Sequence, residues 1–262
     1  MKTISTILLL SILILACSSM IEQRKETSFS KEAKFAFNPT GVNRLYIIAG
    51  QSNAGNDRMN YCATGIQCWN YNWRQWDSYM SIEQFNTYLG GFSIPLAKSL
   101  KAKYPNDNLY FYQFHKTATS LYLNWDASTG TMFATLLTDL QRAMPQIPTP
   151  DEINFIWVQG EGDAVAVHYL EYLSRETHLF DSLSSRYPIT RFLNYQVNEN
   201  LTATTTNAKK DTINAHKRKH AKLNPKVITI GKIPLQYYNS DLLHLDTIQG
   251  IKIFRDSLMK HL

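Results

Sequence analysis

Several features that mark specialised protein classes are missing from this sequence. Its 262 residues include only 11 glycines and nine prolines, too few for a fibrous or low-complexity chain. The hydrophobic content of 44% is too high for a disordered chain. Beyond the N-terminus, no apolar run approaches the length of a membrane-spanning helix, and no phosphate loop, dinucleotide fingerprint or zinc cluster is present. The composition therefore indicates a globular domain of enzyme size.

The charge gives no argument for nucleic acid as a partner. The formal net charge is only +6, and much of the excess lies within residues 209–222. This segment contains His216 and His220 at a spacing that metal sites use, but no third ligand is nearby and lysine and arginine surround them. We expect it to form a solvated basic helix face and expect no metal site there.

The N-terminus has the pattern of an export signal. Residues 7–16 form an apolar run broken only by Ser11, which is too short to cross a bilayer but typical of a secretory h-region. The run ends in Ala16 and Cys17, which resembles the bacterial lipobox, where the cysteine is lipidated and becomes the mature N-terminus. An ordinary signal peptide with an incidental cysteine is the alternative.

The lipobox resemblance implies an exported bacterial lipoprotein. Residues 1–16 are then the signal peptide, and Cys17 carries the lipid that anchors the protein in a bacterial membrane. Ser18, where inner-membrane lipoproteins have aspartate, favours the outer membrane or the cell surface. Residues 17–42 are polar and are predicted to be a tether, so the folded domain is expected at 43–262.

Two cysteines, Cys62 and Cys68, remain after the lipidated one. Because export places them in an oxidising compartment, they are candidates for a short-loop disulfide, with two free thiols as the alternative. The segment around them is rich in aromatic side chains, which form either a platform for sugar rings or a small satellite core. These side chains are Tyr61, Trp69, Tyr71, Trp73, Trp76 and Tyr79.

Strand and helix patterns alternate along the domain. Predicted strands cover residues 44–49, 109–114, 153–159, 189–197 and 226–233. Predicted helices cover residues 93–104, 132–143, 165–187, 203–223 and 247–262. This alternation predicts an α/β fold, a parallel sheet with helices on both faces. Ligands of such sheets bind beyond the carboxyl ends of the strands, where we therefore look for reactive side chains.

A serine and a histidine are the first candidates for chemistry. Ser52 follows the first strand, in Gly-Gln-Ser-Asn at residues 50–53, and is either a nucleophile or a helix N-cap. Asp241 and His244 lie three residues apart before the last helix. A carboxylate at that spacing can fix the imidazole tautomer and stabilise the imidazolium that forms when the histidine takes the serine proton.

A third block follows the strand at 153–159. Residues 157–163 read Trp-Val-Gln-Gly-Glu-Gly-Asp, and the Gln159 amide is a candidate hydrogen-bond donor to an oxyanion. Asp163 is a candidate cap for the helix that follows. Both roles are compatible with one turn.

In this order and spacing, the three blocks resemble those of the SGNH-hydrolase superfamily. More narrowly, they resemble the sialate O-acetylesterase and carbohydrate esterase family 6 group, over residues 45–254. The resemblance implies a flavodoxin-like three-layer α/β/α sandwich and a serine esterase that removes O-acetyl groups from a carbohydrate without a cofactor. It also implies an acetylated carbohydrate, such as sialic acid or another acetylated glycan, as the substrate partner.

The resemblance also assigns roles to individual residues. It implies Ser52 as nucleophile, His244 as base and Asp241 as the orienting carboxylate. It places the oxyanion hole at the backbone N–H groups of Ser52 and Gly91, with Gly90 as the other glycine candidate, and at the Gln159 amide. It places substrate contacts at Gln51, Asn53, Thr119, Ser120 and Glu161. The sequence departs from the family where Thr117 and Ala118 replace two glycines ahead of Thr119, a change that bears on the backbone path of this loop.

Two other functions fit the sequence. One is an SGNH esterase acting on lipid or thioester substrates, which would need a long apolar acyl channel. The other is a glycan-binding lipoprotein of the same fold without turnover, for which a complete Ser52, Asp241 and His244 set is not needed.

Overall fold

A parallel β-sheet forms the centre of the protein in the computed structural model. The structure describes residues 36–55, 65–70, 74–77, 91–165, 168–198, 207–239, 244–245 and 249–262. The central strand β1 (Asn43–Gly50) is buried from Leu45 onward, as expected for a strand covered on both faces. It pairs in parallel with β4 (Asn108–His115) on one side and β5 (Glu152–Val158) on the other.

Four further strands extend the sheet in the order β3-β2-β4-β1-β5-β6-β7. They are β2 (Gln67–Asn70), β3 (Gln75–Asp77), β6 (Arg191–Tyr195) and β7 (Val227–Ile230). All pairings are parallel except that of β3 with β2. The predicted parallel α/β sheet is confirmed. The short strands β2 and β3 were not predicted, because they are only four and three residues long and show no clear alternation.

Helices cover both faces of the sheet. They are α1 (Ser93–Lys103), α2 (Thr131–Ala143), α3 (Glu161–Val165), α4 (Tyr172–Ser184), α5 (Asn207–Leu223) and α6 (Gln249–Met259). On β6, Phe192 stacks on Phe180 of α4 at 4.2 Å between ring centroids, while Tyr195 packs on Phe254 of α6 at 5.0 Å. Residues three apart on a strand point to opposite faces, so α4 and α6 lie on opposite sides. The three-layer arrangement is thus the predicted one.

The predicted helix at 165–187 is wrong in its N-terminal part. The helix α4 begins only at Tyr172, after a 3₁₀ turn at Tyr169–Glu171. The hydroxyl of Tyr172 donates to both the backbone oxygen and the side-chain oxygen of Gln159 at 3.2 Å. This bond fixes the start of α4 to the end of β5, a tertiary contact that helical periodicity does not reveal.

The folded domain also begins earlier than the predicted boundary at residue 43. Asn38 donates its side-chain amide to the carbonyl of Asn106 at 2.8 Å, and it exchanges two further bonds with Asn108. Residues from Asn38 onward therefore pack on the domain and do not belong to the tether. Among the described residues, no helix is long and apolar enough to cross a membrane.

The basic helix α5 was predicted to present a solvated face, but several of its basic side chains are buried. Lys210, Lys217 and His220 are almost completely buried, whereas Arg218 and Lys219 are exposed. The buried residues recur every three or four positions, which places them on the side of the helix that faces the sheet. Their neighbours supply polar partners; for example, Nδ1 of His220 lies 2.9 Å from a carboxylate oxygen of the buried Glu176.

Two tryptophans of the aromatic segment belong to the core. Trp69 on β2 is buried and donates its indole N–H to Asp139 at 2.7 Å, and Trp76 on β3 donates to the carbonyl of Ala143 at 2.9 Å. For these two residues the satellite-core interpretation is correct and the sugar-platform interpretation is wrong. The other predicted platform residues, Tyr61, Tyr71, Trp73 and Tyr79, lie outside the described residues.

Candidate active site

The loops that carry the predicted site residues leave the sheet at the same edge. In the strand register, Gly50 at the end of β1 lies opposite His115 at the end of β4 and Val158 at the end of β5. The segments that follow these positions contain Ser52, the loop at 116–120 and the block at 159–163. Parallel pairing thus brings three separate parts of the sequence together.

The turn after β1 is tight and places Ser52 inside the protein. Gly50 has a φ of +141°, and a Cβ there would lie 1.9 Å from the carbonyl oxygen of Val158, so only glycine fits. The next residue, Gln51, donates its backbone N–H to that same oxygen at 2.9 Å. A single 3₁₀ turn, Ser52–Ala54, follows with Gln51 at its N-cap position. Ser52 is therefore not the cap of this turn, which was its alternative role.

Glu161 fixes the two neighbours of Ser52. Its two carboxylate oxygens accept hydrogen bonds from the amides of Gln51 at 2.6 Å and Asn53 at 2.9 Å. The side-chain oxygen of Gln51 in turn accepts the backbone N–H of Gly162 at 3.2 Å. Gln51, Asn53 and Glu161 are each at most 5% exposed. These three residues therefore brace the turn that holds Ser52, and their contacts with substrate stay a prediction.

The segment containing His244 docks against this turn. Leu245 donates its backbone N–H to the side-chain oxygen of Asn53 at 3.1 Å, a contact between residues 192 positions apart in the chain. The carbonyl of His244 accepts the N–H of Asn239 at 2.8 Å, which closes a small antiparallel bridge. The sequence neighbours of His244 and Ser52 are thus joined directly. Asp241 lies outside the described residues, so its bond to His244 stays a prediction.

A small pocket lies between the two segments. Its described lining consists of Asn53, Gly91, Phe92, Asn239, His244, Leu245 and Ile251. Its volume is about 30 Å³, close to the share of one molecule in liquid water. Gly91 has a φ of +57°, a left-handed conformation that favours glycine. The predicted oxyanion glycine and the predicted base therefore border the same space, while Gly90 lies outside the described residues.

The predicted oxyanion donor Gln159 is already hydrogen-bonded. Its amide nitrogen donates to Asp163 at 2.5 Å and to the carbonyl of Thr119 at 3.4 Å, and its side chain is fully buried. An amide nitrogen has only two hydrogens, so in this arrangement neither is available to an oxyanion. In this arrangement Gln159 joins two loops, and its role as an oxyanion donor stays a prediction.

The carboxylate of Asp163, which was predicted to cap the helix that follows it, binds backbone N–H groups of another loop. Besides the Gln159 amide, its carboxylate accepts the N–H groups of Leu121 at 2.8 Å and Tyr122 at 3.1 Å. Burial raises the pKa of Asp163, while these hydrogen bonds act in the opposite direction. The carboxylate therefore ties the loop at 116–125 to the block that follows β5.

The loop with the replaced glycines keeps a glycine-like backbone. Ala118 adopts a φ of +58° although it is not glycine. The hydroxyl of Thr119 donates to the carbonyl of Lys116 at 2.7 Å and accepts the indole N–H of Trp125 at 3.0 Å. The hydroxyl of Ser120 accepts the N–H of Leu123 at 3.1 Å. Thr119 and Ser120 thus stabilise the shape of this loop, and their contacts with substrate stay a prediction.

The two predicted disulfide cysteines are described to different extents. Cys68 on β2 is buried and disulfide-bonded. Its partner lies outside the described residues, as does Cys62, so the pairing of these two cysteines stays a prediction. The predicted lipidation site Cys17 also lies outside the described residues.

Comparison with known proteins bears on the fold. No protein-family model and no curated protein matches the sequence. Among solved structures, NanS superposes with a TM-score of 0.60 at 11% identity, covering 86% of this chain and 98% of its own. The chain has the SGNH-hydrolase fold. The predicted fold class is therefore confirmed by the structural comparison, although the sequence identity is low.

Two other structures with the SGNH-hydrolase fold are described as esterases of carbohydrates. An acetyl xylan esterase from Geobacillus stearothermophilus has a TM-score of 0.52 at 13% identity, covering 84% of this chain and 94% of that one. A carbohydrate acetylesterase from Xanthomonas citri has a TM-score of 0.55 at 12% identity, covering 82% of this chain and 54% of that one. At these identities the likeness concerns the fold, and the activity of this chain has to be argued from its own residues.

Proposed function

We propose that the protein is a serine esterase that removes O-acetyl groups from a carbohydrate. Ser52 is the nucleophile, His244 the general base and Asp241 the carboxylate that orients it. The observation that carries this proposal is the hydrogen bond between Leu245 and Asn53, because it joins the immediate neighbours of the base and the nucleophile. An N-capping serine and an unrelated surface histidine would have no reason to be held together.

The proposed reaction proceeds through an acyl-enzyme. His244 takes the proton of the Ser52 hydroxyl as the oxygen attacks the acetyl carbonyl carbon. The backbone N–H groups of Ser52 and Gly91 donate to the oxyanion, since the Gln159 amide is engaged elsewhere. The tetrahedral intermediate collapses, the sugar oxygen leaves with the proton from His244, and water then releases acetate by the same sequence.

The dimensions of the site support a short acyl group. Among the described residues, the pocket that Gly91 and His244 line is small, about 30 Å³, and Ser52 lies next in the chain to its lining residue Asn53. This favours acetate over the acyl groups of a lipid or thioester esterase. Two proteins of the same fold are described as acting on acetylated polysaccharide or carbohydrate, which supports an acetylated glycan as the substrate class.

Hydrolysis of p-nitrophenyl esters of increasing chain length tests this proposal. We expect the purified domain to prefer the acetate ester over the butyrate and octanoate esters, and Ser52→Ala to reduce the rate by about 10⁴-fold or more. The exposed Ser128→Ala is a matched control that should retain the full rate. Activity that survives in Ser52→Ala, or a preference for octanoate, would contradict the proposal. A wild-type protein without any activity would point to a glycan-binding lipoprotein.

A lipid anchor completes the proposal for the whole protein. The export signal and the lipobox-like Ala16-Cys17 support attachment to a bacterial membrane, at the outer membrane or the cell surface. There the domain would meet acetylated glycans outside the cytoplasm.

A further inference from the structure

A lysine is completely buried behind the candidate active site. Lys217 lies on α5 with no exposed surface. Its ammonium donates hydrogen bonds of 2.5 Å to the carbonyl of Gln159 and of 2.5 Å to the carbonyl of Tyr195. Lysine is among the residues least often buried in proteins. The mechanism proposed above leaves this residue without a role.

The two carbonyls mark the ends of neighbouring strands. Gln159 follows the last residue of β5, and Tyr195 is the last residue of β6. Glu161, which holds the amides on both sides of Ser52, comes only two residues after Gln159. The ammonium thus fixes the backbone at the position from which the block containing Glu161 departs.

Three buried carboxylates favour the charged form of the ammonium. Glu161 and Asp163 on α3 and Glu176 on α4 are each less than 5% exposed. Burial lowers the pKa of Lys217, and these three carboxylates raise it. The ring of Tyr172 also lies near the ammonium, with 5.4 Å between the nitrogen and the ring centroid. The two hydrogen bonds to carbonyl groups offset part of the cost of burying the charge.

Glu161 connects this backbone to the turn that holds Ser52. Both of its oxygens accept hydrogen bonds from amide N–H donors, one from Gln51 and one from Asn53. A shift of the backbone at the end of β5 would therefore move this carboxylate relative to both neighbours of Ser52.

We propose that Lys217 is a positioning residue for the nucleophile turn. It ties the ends of β5 and β6 together and thereby fixes the position of Glu161 between Gln51 and Asn53. Lys217 touches neither substrate nor Ser52 and acts through Glu161. The proposal rests on the esterase function proposed above.

A double-mutant cycle on ester hydrolysis tests whether the two residues act together. Lys217→Met keeps the length of the side chain and removes its charge, and Glu161→Gln removes the charge of the partner. We expect each change to lower kcat by about tenfold with KM changed by less than about threefold. The double variant should lose little more than either single variant. The exposed Lys219→Met on the same helix should retain the wild-type kcat.

Independent losses would overturn the proposal. If the double variant loses the product of the two single effects, about 100-fold, Lys217 does not act through Glu161. The proposal also fails if folded Lys217→Met keeps the wild-type kcat, or if Lys219→Met loses as much as Lys217→Met.

A measurement that needs neither catalysis nor the lysine variant separates the two proposals. A charged, buried ammonium exchanges its protons slowly and gives a ¹H–¹⁵N side-chain signal. We expect this signal for Lys217 in the wild-type protein and a shifted signal in Glu161→Gln. A missing signal, or one unchanged in Glu161→Gln, contradicts the pairing whether or not Lys217→Met folds. If the signal is present in the wild type and shifted in Glu161→Gln but the wild type hydrolyses no ester, the esterase function is contradicted and the coupling of Lys217 to Glu161 stands.

Discussion

At the scale of single residues, the polar side chains near Ser52 mostly bind one another. Gln51, Asn53 and Glu161 form one connected set, and Gln159 joins Thr119 to Asp163. These side chains are buried, and each hydrogen bond they make to one another would have to be broken before a ligand could replace it. The sequence blocks therefore form a connected support for the turn that holds Ser52.

Ala118 provides a test of backbone strain at this scale. An L-residue in the left-handed region is strained by roughly 1–2 kcal/mol, whereas glycine loses roughly 0.5–1 kcal/mol more chain entropy on folding than alanine. We expect Ala118→Gly to raise the free energy of unfolding by about 0.5 kcal/mol, measured by urea denaturation. Ala134→Gly, on the exposed face of α2, is the matched control and should lower it by about 1 kcal/mol. A similar loss in both variants would contradict the strain argument.

At the scale of elements, the end of β4 supports the nucleophile turn from the side. The amide of Gln113 donates to the carbonyl of Ala54. A Cβ added to Gly55 would lie 2.4 Å from the ring of His115, so strand and turn are in close contact. Burial lowers the pKa of His115 because the charged imidazolium is poorly solvated there.

The lowered pKa of His115 predicts a pH dependence of stability. The unfolded chain binds this proton below about pH 6.5 and the folded protein only at lower pH, so the free energy of unfolding falls as the pH drops from about 6.5 toward the folded-state pKa. We expect His115→Gln to reduce this loss, measured by urea denaturation at about pH 7.5 and about pH 5.5. His216 also has a pKa lowered by burial, so part of the slope should remain. The exposed His178→Gln on α4 is the matched substitution for comparison, and an unaltered slope in His115→Gln would refute this account.

At the scale of the whole molecule, the sheet order decides which loops can form the site. β1 lies between β4 and β5, so the turn carrying Ser52 has a loop on each side. α1 and α6 lie together on one face, as the rings of Phe92 and Phe254 show at 4.5 Å between centroids. This contact brings the neighbourhood of Gly91 and the C-terminal segment with His244 to the same side of the turn. The order of the strands in the sheet therefore determines which loops come together at the candidate site.

The predicted lipid anchor is also a property of the whole chain. We expect the full-length protein, expressed in a bacterium with two membranes, to incorporate a labelled palmitate and to sediment with the membrane fraction. Cys17→Ala should abolish the label and release the protein, because one cysteine carries the entire anchor. Ser19→Ala leaves the lipobox-like residues intact and should behave like the wild type. Labelling that persists in Cys17→Ala would exclude this anchor.

Much of the architecture could be predicted because it depends on local patterns. The strand at 44–49 and the helix at 132–143 have strong periodicity, and the structure confirms both within one or two residues. The short strands β2 and β3 could not be predicted, since a strand of four residues has too few positions for a pattern. The true start of α4 could not be predicted either, because it depends on the hydrogen bond of Tyr172 to Gln159.

The sequence by itself determined the α/β fold and the three blocks that identify Ser52 and His244 as candidates. The reason is that the alternation of strands and helices and the spacing of motifs are local properties of the chain. The tertiary structure alone decided the roles of the polar residues. Whether Glu161 meets a substrate or two amides, and whether Lys217 is solvated or buried, depends on which groups approach across the sheet edge. Hydrogen bonds between residues that are distant in sequence leave no periodic signal, so only the folded chain shows them.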